Sequence, residues 1–282
     1  MLLGIFSTVS AAGAALLCWL TGSFETWTWL WLLPATFLGG FLFCLILWFL
    51  FLLVLAKTVD MEAEQEEDSH IRRVAIDLSI RAIVKLLRIH IHTRGLEQLP
   101  KDGRFLLVCN HMQIVDPVVL LWAFPKQQLA FISKRENDSM FLFGPLLRGI
   151  LCQPINREND REALKTILKC IRLIKEDKVS IGVFPEGYIY DDHLLHPFRS
   201  GVFKIAQKAG VPVVVCTLQN TLQVFDNMKA LRSSNIELHL VGVISVEAQQ
   251  GRTAVDIAQE AHAMMAADLG PEKVFQEKPE EL

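Results

Sequence analysis

Asn110-His111 stands at the mouth of the apolar run Phe105-Leu106-Leu107-Val108-Cys109, and Asp116 follows with four residues between the imidazole and the carboxylate. A strand that ends in histidine, with an aspartate about one helical turn further on, can set a carboxylate oxygen against a ring nitrogen. Such a pair is a general base: the carboxylate fixes the tautomer and stabilises the imidazolium, and the other ring nitrogen takes a proton from a hydroxyl. Asp116-Pro117 is also an ordinary N-cap and N1 pair for a helix, and one residue can serve both uses. A Pro185-Glu186-Gly187 turn lies downstream. The sequence has no Gly-x-Ser-x-Gly elbow, so no covalent intermediate on a serine is expected. It has no His-Glu-x-x-His and no Cys/His cluster, so no metal is expected. His193 and His196, beside Asp191 and Asp192, are the one alternative that could hold a cation. His90 and His92 alternate with Ile89 and Ile91, as on one face of an extended or helix-end segment.

The elements that must position these groups are readable from hydropathy patterning. Phe105–Cys109, Leu129–Ser133, Val179–Phe184, Val211–Thr217 and Ile236–Val246 read as strands. Asp116–Phe124, Asp160–Glu176, Arg199–Ala209 and Thr253–Leu269 read as helices, the third stopped by Gly210-Val211-Pro212 and the last by Gly270-Pro271. The alternation predicts an α/β domain with a central, largely buried sheet flanked by helices. The apolar stretch Val118, Val119, Leu120, Leu121 and Trp122 fits either a core helix or the lining of an apolar groove. The charged stretch Pro271–Leu282 reads as frayed.

Ahead of this domain the chain changes character. Its 282 residues are 51% hydrophobic, and the excess is concentrated at the N-terminus, where Glu25 is the one charged side chain between Met1 and Ala56. Leu30–Ala56 is long enough to cross a hydrocarbon core of about 30 Å. Met1–Leu20 is also uncharged but richer in Ala, Gly and Ser. Trp27, Trp29 and Trp31 between them fit an interfacial belt. The first segment has no basic n-region and a second apolar run follows it, so a two-helix membrane hairpin is preferred to a signal peptide. Lys57, Arg72 and Arg73 after the second helix place the domain on the cytoplasmic side of the cell membrane. The acidic stretch Thr58–Ser69 reads as a solvated linker or helix continuation. Ile71, Val74, Ala75, Leu78, Ala82, Ile83, Leu86 and Leu87 then recur at helical spacing among basic residues. That helix suits core packing or, by its basic bias, anionic headgroups. The expected organisation is a hairpin over 1–56, a linker and amphipathic helix over 57–93, and the α/β domain over 94–282.

The net charge of −3 gives no support for nucleic-acid binding. Six cysteines without a Cys-x-x-Cys pair read as buried, reduced thiols in a cytoplasm-facing protein.

With these pieces in order, the sequence resembles the 1-acylglycerol-3-phosphate acyltransferase family of glycerolipid acyltransferases. Asn110, His111 and Asp116 match its first motif. Gly149 through Ile155-Asn156-Arg157 matches the second, Val183-Phe184-Pro185-Glu186-Gly187 the third, and Val211-Pro212-Val213-Val214 the fourth. Phe131-Ile132-Ser133-Lys134-Arg135-Glu136 resembles the Lys-x-Glu stretch between the first two, and Phe198-Arg199-Ser200-Gly201 the Phe-Lys-x-Gly segment after the third. Two motifs depart from the pattern. The third motif usually continues Thr-Arg, where this chain has Tyr188-Ile189, and that arginine is one of the family's candidate phosphate contacts. The fourth usually carries a second proline, where this chain has Val215.

The resemblance implies transfer of a fatty acyl chain from a thioester, acyl-coenzyme A or acyl-acyl carrier protein, to the sn-2 hydroxyl of lysophosphatidate, with membrane lipids as surroundings and no bound cofactor. His111 and Asp116 would be the base pair. Lys134 or a backbone N–H near Gly187 would face the oxyanion. Arg157 first, and Arg199 second, would hold the acceptor phosphate. Glu186 would orient Arg157 or accept an acceptor hydroxyl, and Asn110 and Gly187 complete the substrate-binding set. The alternatives are a different lysolipid acceptor, a catalytically silent lipid-binding relative, or a hydrolase of membrane esters.

Overall fold

Apolar residues fill every position of Leu106–Cys109, and a run without polar alternation is a strand buried on both faces. In the computed structural model, which describes residues 1–276, that strand lies inside a seven-stranded sheet. The strands are β1 (Ile89–Arg94), β2 (Leu106–Cys109), β3 (Leu129–Lys134), β4 (Gln153–Ile155), β5 (Ser180–Val183), β6 (Val213–Gln219) and β7 (Ser234–Ile244), in the order β1-β7-β6-β2-β5-β3-β4. All neighbours are parallel except β6 and β7. The helices are α1 (Leu2–Leu20), α2 (Trp29–Lys57), α3 (His70–Leu86), α4 (Asp116–Ala123), α5 (Phe143–Arg148), α6 (Asp160–Lys175), α7 (Lys204–Ala209), α8 (Gln223–Lys229) and α9 (Ala254–Leu269). The α9 helix packs on β6 and β7, α6 on β4, β5 and α7, and α3 on α4 and β1. The α/β class expected from the alternation is the class observed.

Several boundaries move for physical reasons. The expected helix Arg199–Ala209 begins as a 3₁₀ turn over Ser200–Phe203, and only Lys204–Ala209 is α-helical. Strand β1 is the segment read as extended or helix-end, and its alternation is that of an edge strand. Strand β4 is three residues long and contains Pro154, which an edge strand tolerates. Val215, where the family has proline, is fully buried in β6 between β2 and β7. A proline there would remove a backbone donor from a strand paired on both sides. A register irregularity follows at once, between Val215 and Cys216.

At the N-terminus α1 and α2 form a hairpin, each long and apolar enough to cross a membrane. Phe6 packs edge-on against Phe41 and Trp48, with ring centroids 6.4 Å apart in each case. Helix α3 turns back along the end of α2: Arg72 donates to Leu55 O (3.2 Å) and Thr58 Oγ1 (2.9 Å), and Trp48 Nε1 donates to Ser79 Oγ (3.1 Å).

The basic residues of α3 are largely engaged inside the protein. Arg73 pairs with Asp68 (2.8 Å) and donates to Leu129 O and Ile150 O, and Arg81 pairs with Asp77. Ile71, Val74, Ile83 and Leu86 of the same helix are exposed, so the domain covers only part of its apolar face. The acidic stretch is likewise more than a solvated linker. Glu64 and Glu66 meet Lys169 and Arg172 of α6, and Glu67 meets Lys178, so the stretch straps the hairpin to the domain. The C-terminal stretch read as frayed is folded against the domain as far as Phe275; residues 277–282 lie outside the described residues.

Helix α4 carries Asp116 on its first turn and is anchored by Leu120, which is fully buried. Leu120→Ala is expected to lower unfolding free energy by about 2–5 kcal/mol, read by chemical denaturation of the detergent-solubilised protein.

Candidate active site

The C-terminal ends of β2 and β5 open side by side, and loops there bring the polar landmarks together. Asn110 closes β2. Its amide donates to Leu218 O (2.9 Å) and its Oδ1 accepts from Leu218 N–H (2.7 Å), so both ends of this buried side chain pair with the backbone of β6. Asn110 therefore sets where the next residue begins.

That residue is His111. Its Nδ1 lies 2.9 Å from Asp116 Oδ2, and the same oxygen accepts from the N–H groups of Met112 (2.7 Å) and Gln113 (2.8 Å). The carboxylate is fully buried. Asp116 thus caps the first turn and braces the imidazole at once. An acceptor on Nδ1 selects the tautomer with its proton there and leaves the Nε2 lone pair as a base. The ring lies flat on Phe184, with centroids 3.9 Å apart and 16° between planes, and Phe184 stacks on Phe131 (5.9 Å, 8°). This aromatic support was not read from the sequence, although a signal was present. Gly182 is paired with Phe131 across β5 and β3, and a Cβ there would lie 2.5 Å from the Phe131 ring; glycine inside a strand marks such close approach.

Glu186 fixes His111 from its other side. Its Oε1 accepts from His111 N–H (2.8 Å) and its Oε2 from His196 N–H (3.0 Å). Its contacts are with backbone, so it braces the site rather than orienting Arg157. Burial pushes its carboxyl up to about 7, against the two N–H donors, which favour the charged form. Gly187 takes a left-handed conformation (φ 83°), and its N–H donates to Phe184 O (3.1 Å). That N–H is already engaged within the turn, whereas Lys134 is mostly exposed and held by Glu136 at 2.9 Å.

His111 lines a groove of about 740 Å³, within the usual range of about 300–1,000 Å³ for ligand sites. Its walls divide by chemistry. Phe131, Leu147, Ile155, Leu164 and Ile167 are apolar, and Leu121 is the one member of the Val118–Trp122 stretch that reaches it. Val119 and Leu120 belong to the core instead. Lys134, Arg157, Arg199 and Lys204 supply cations. Arg157 and Arg199 converge on one ring, with their guanidinium carbons 5.1 and 5.2 Å from the centroid of Tyr188. Burial lowers the Arg157 pKa, and the Arg199 charge lowers it further. The cation–π contacts hold two like charges together. Neither arginine has a carboxylate within salt-bridge distance among the described residues. Tyr188 and Ile189, the two departures in the third motif, both face the groove.

Cys152 also lines the groove, and burial raises its thiol to about 11; burial pushes Cys109 up strongly as well. Neither environment generates a thiolate nucleophile. His196 pairs with Asp192 (2.9 Å), outside the groove. No group of three or more metal-binding side chains occurs among the described residues.

The model of the Acyltransferase family matches residues 90–219, somewhat less than half of the chain, and that segment is similar to the family. A probable 1-acyl-sn-glycerol-3-phosphate acyltransferase of Mycoplasma pneumoniae is 27% identical over 172 residues, covering 57% of this chain and 64% of that protein. A chloroplast 1-acyl-sn-glycerol-3-phosphate acyltransferase of Brassica napus is 36% identical over 129 residues, covering 45% and 37%. The chain thus spans less than two thirds of these curated relatives. The crystal structure of the 1-acyl-sn-glycerophosphate acyltransferase PlsC of Thermotoga maritima shares the fold, with a TM-score of 0.59 at 20% identity over 81% of this chain and 89% of that one.

The Glu186 environment sets a pH dependence. Its carboxyl titrates near 4.5 in the unfolded chain and near 7 in the folded protein. Stability from this group is complete below pH 4.5 and is lost as pH rises to 7, by on the order of 3 kcal/mol. Thermal denaturation across that window is expected to show the decline, and Glu186→Gln to flatten it.

Proposed function

We propose that the protein transfers a fatty acyl chain from a thioester donor, acyl-acyl carrier protein or acyl-coenzyme A, to the sn-2 hydroxyl of 1-acylglycerol-3-phosphate, giving phosphatidic acid. The observation that carries the reading is an imidazole braced by a buried carboxylate (2.9 Å) beside a groove with apolar walls and two arginines that no carboxylate salt-bridges among the described residues. A lysophosphatidate presents the matching chemistry: an acyl chain, a hydroxyl and a phosphate.

In the proposed step, His111 Nε2 removes the hydroxyl proton as the oxygen attacks the thioester carbonyl. Asp116 stabilises the imidazolium, and Lys134 faces the oxyanion. Collapse breaks the C–S bond, and the proton held on His111 goes to the departing thiolate. Atoms balance without a covalent acyl-enzyme. Arg157 and Arg199 position the phosphate, and Asn110, Glu186 and Gly187 hold the loops that present the base.

The hairpin supports a membrane setting. We place the domain at the cytoplasmic face of the cell membrane, with Lys57, Arg72 and Arg73 on that side. Such a site receives a lysolipid without extracting it far into water.

A second reading keeps the chemistry and changes the acceptor. It is motivated by Ile189, a neutral residue in the groove where the family carries arginine. Purified protein given labelled thioester and a panel of lysolipids separates the two: preference for lysophosphatidate supports the first, and equal use of uncharged acceptors removes phosphate recognition. His111→Ala is expected to slow transfer by roughly 10²–10⁴-fold while the protein still folds. Arg157→Ala is expected to raise the KM for lysophosphatidate by about 10–100-fold, the loss of one charged hydrogen bond. Release of free fatty acid would identify a hydrolase, and lipid binding with no transfer a silent relative.

A further inference from the structure

Pro271–Phe275 folds back against the loop that follows Gly187. Leu195 N–H donates to Lys273 O (2.7 Å) and Phe275 N–H to Leu195 O (3.0 Å), forming a parallel bridge between Leu195 and Val274. Lys273 Nζ donates to Gln219 Oε1 at the end of β6 (2.7 Å). The bridged Leu195 is buried, and so is His196 beside it. The His196 ring stacks on Tyr190 (centroids 3.6 Å, 14°) and on Phe275 (4.4 Å, 23°), and its Nε2 lies 2.9 Å from Asp192. None of Tyr190, Asp192, His196 and Phe275 lines the groove.

Yet this cluster reaches the base in two steps. The His196 N–H donates to Glu186 Oε2 and the His111 N–H to Glu186 Oε1. One buried carboxyl therefore couples the two backbones. If the His196 backbone withdraws, Glu186 turns or loses a donor, and the His111 main chain loses its anchor. A base misplaced by a fraction of an ångström is costly, because proton transfer and attack require near-contact geometry.

We propose that His196 is a positioning residue for His111, acting through Glu186, and that the C-terminal strap holds it in place by the Phe275 stack. The effect on turnover rests on the acyl-transfer reading; the mechanical coupling does not. The strap reaches His111 by hydrogen bonds through Glu186, whereas the cluster's aromatic contact toward the groove wall is the edge-on packing of Tyr190 on Tyr188 (centroids 6.2 Å), so loss of the strap is expected chiefly in kcat.

The test uses the full chain with Phe275→Ala and His196→Ala, beside the conservative Phe275→Tyr and His196→Phe, which keep a stacking ring. Phe275 is 37% exposed, so Phe275→Ala is expected to fold. Both alanine variants should lose about tenfold in kcat, with each KM within twofold, and the aromatic variants should recover most of the loss. Hydrogen exchange of the His111 amide, read by mass spectrometry without substrate, should accelerate about tenfold in the alanine variants, as expected for a lost hydrogen bond. An unchanged kcat, a rise in KM in its place, or unaltered exchange at His111 would overturn the proposal. If the parent chain acylates no lysophosphatidate, the substrate reading fails, and the exchange result alone decides the coupling.

Discussion

A single carboxylate oxygen organises the site. Asp116 Oδ2 accepts from His111 Nδ1 and from the Met112 and Gln113 N–H groups. It thereby closes the turn between β2 and α4 and selects the histidine tautomer in one act. Full burial excludes water as a rival donor, and charge-assisted hydrogen bonds are stronger there than on a surface. The side chain that starts the helix is therefore the one that orients the imidazole, and neither role can be lost without the other.

The remaining contacts of His111 make sense as restraints on the same ring. Asn110 ties the preceding residue to β6, Glu186 ties its N–H to the loop after β5, and Phe184 supports its face. Three elements of the sheet thus converge on one imidazole. The groove beside it separates an apolar wall from cations that meet at Tyr188. Clustered like charges are costly to hold together without an anion, and the aromatic ring offsets part of that cost. A lysolipid with one phosphate and one acyl chain would satisfy both halves.

Much of this was legible in the sequence, for identifiable reasons. The central strands were readable because Leu106–Cys109 is an uninterrupted apolar run and Val179–Phe184 is apolar apart from Ser180 and Gly182. Helix α6 announced itself through the helical pattern over Asp160–Glu176, whereas the Asn159 cap emerged with the structure. The spacing from His111 to Asp116 reports a contact because one turn bridges it, and the residues brought to the groove include Lys134, Arg157, Gly187 and Arg199. Long-range partnerships were not legible. Nothing local in Glu186 shows that it bonds two backbones, and nothing in Glu64 or Glu66 shows that α6 lies opposite. Strand β4 was missed because three residues with a proline carry no period, and the folded C-terminal strap because its contacts are tertiary.

The central claim is that Asp116 holds a proton on His111 Nδ1 and leaves Nε2 free to take another. Nitrogen-15 NMR of the histidine-labelled protein in micelles, with the imidazole neutral, tests it most directly. The account predicts a His111 signal with a protonated Nδ1 and a bare Nε2, and loss of that pattern when Asp116 is replaced by Ala. A proton residing on Nε2 in the parent protein, or tautomers averaging freely, would contradict it.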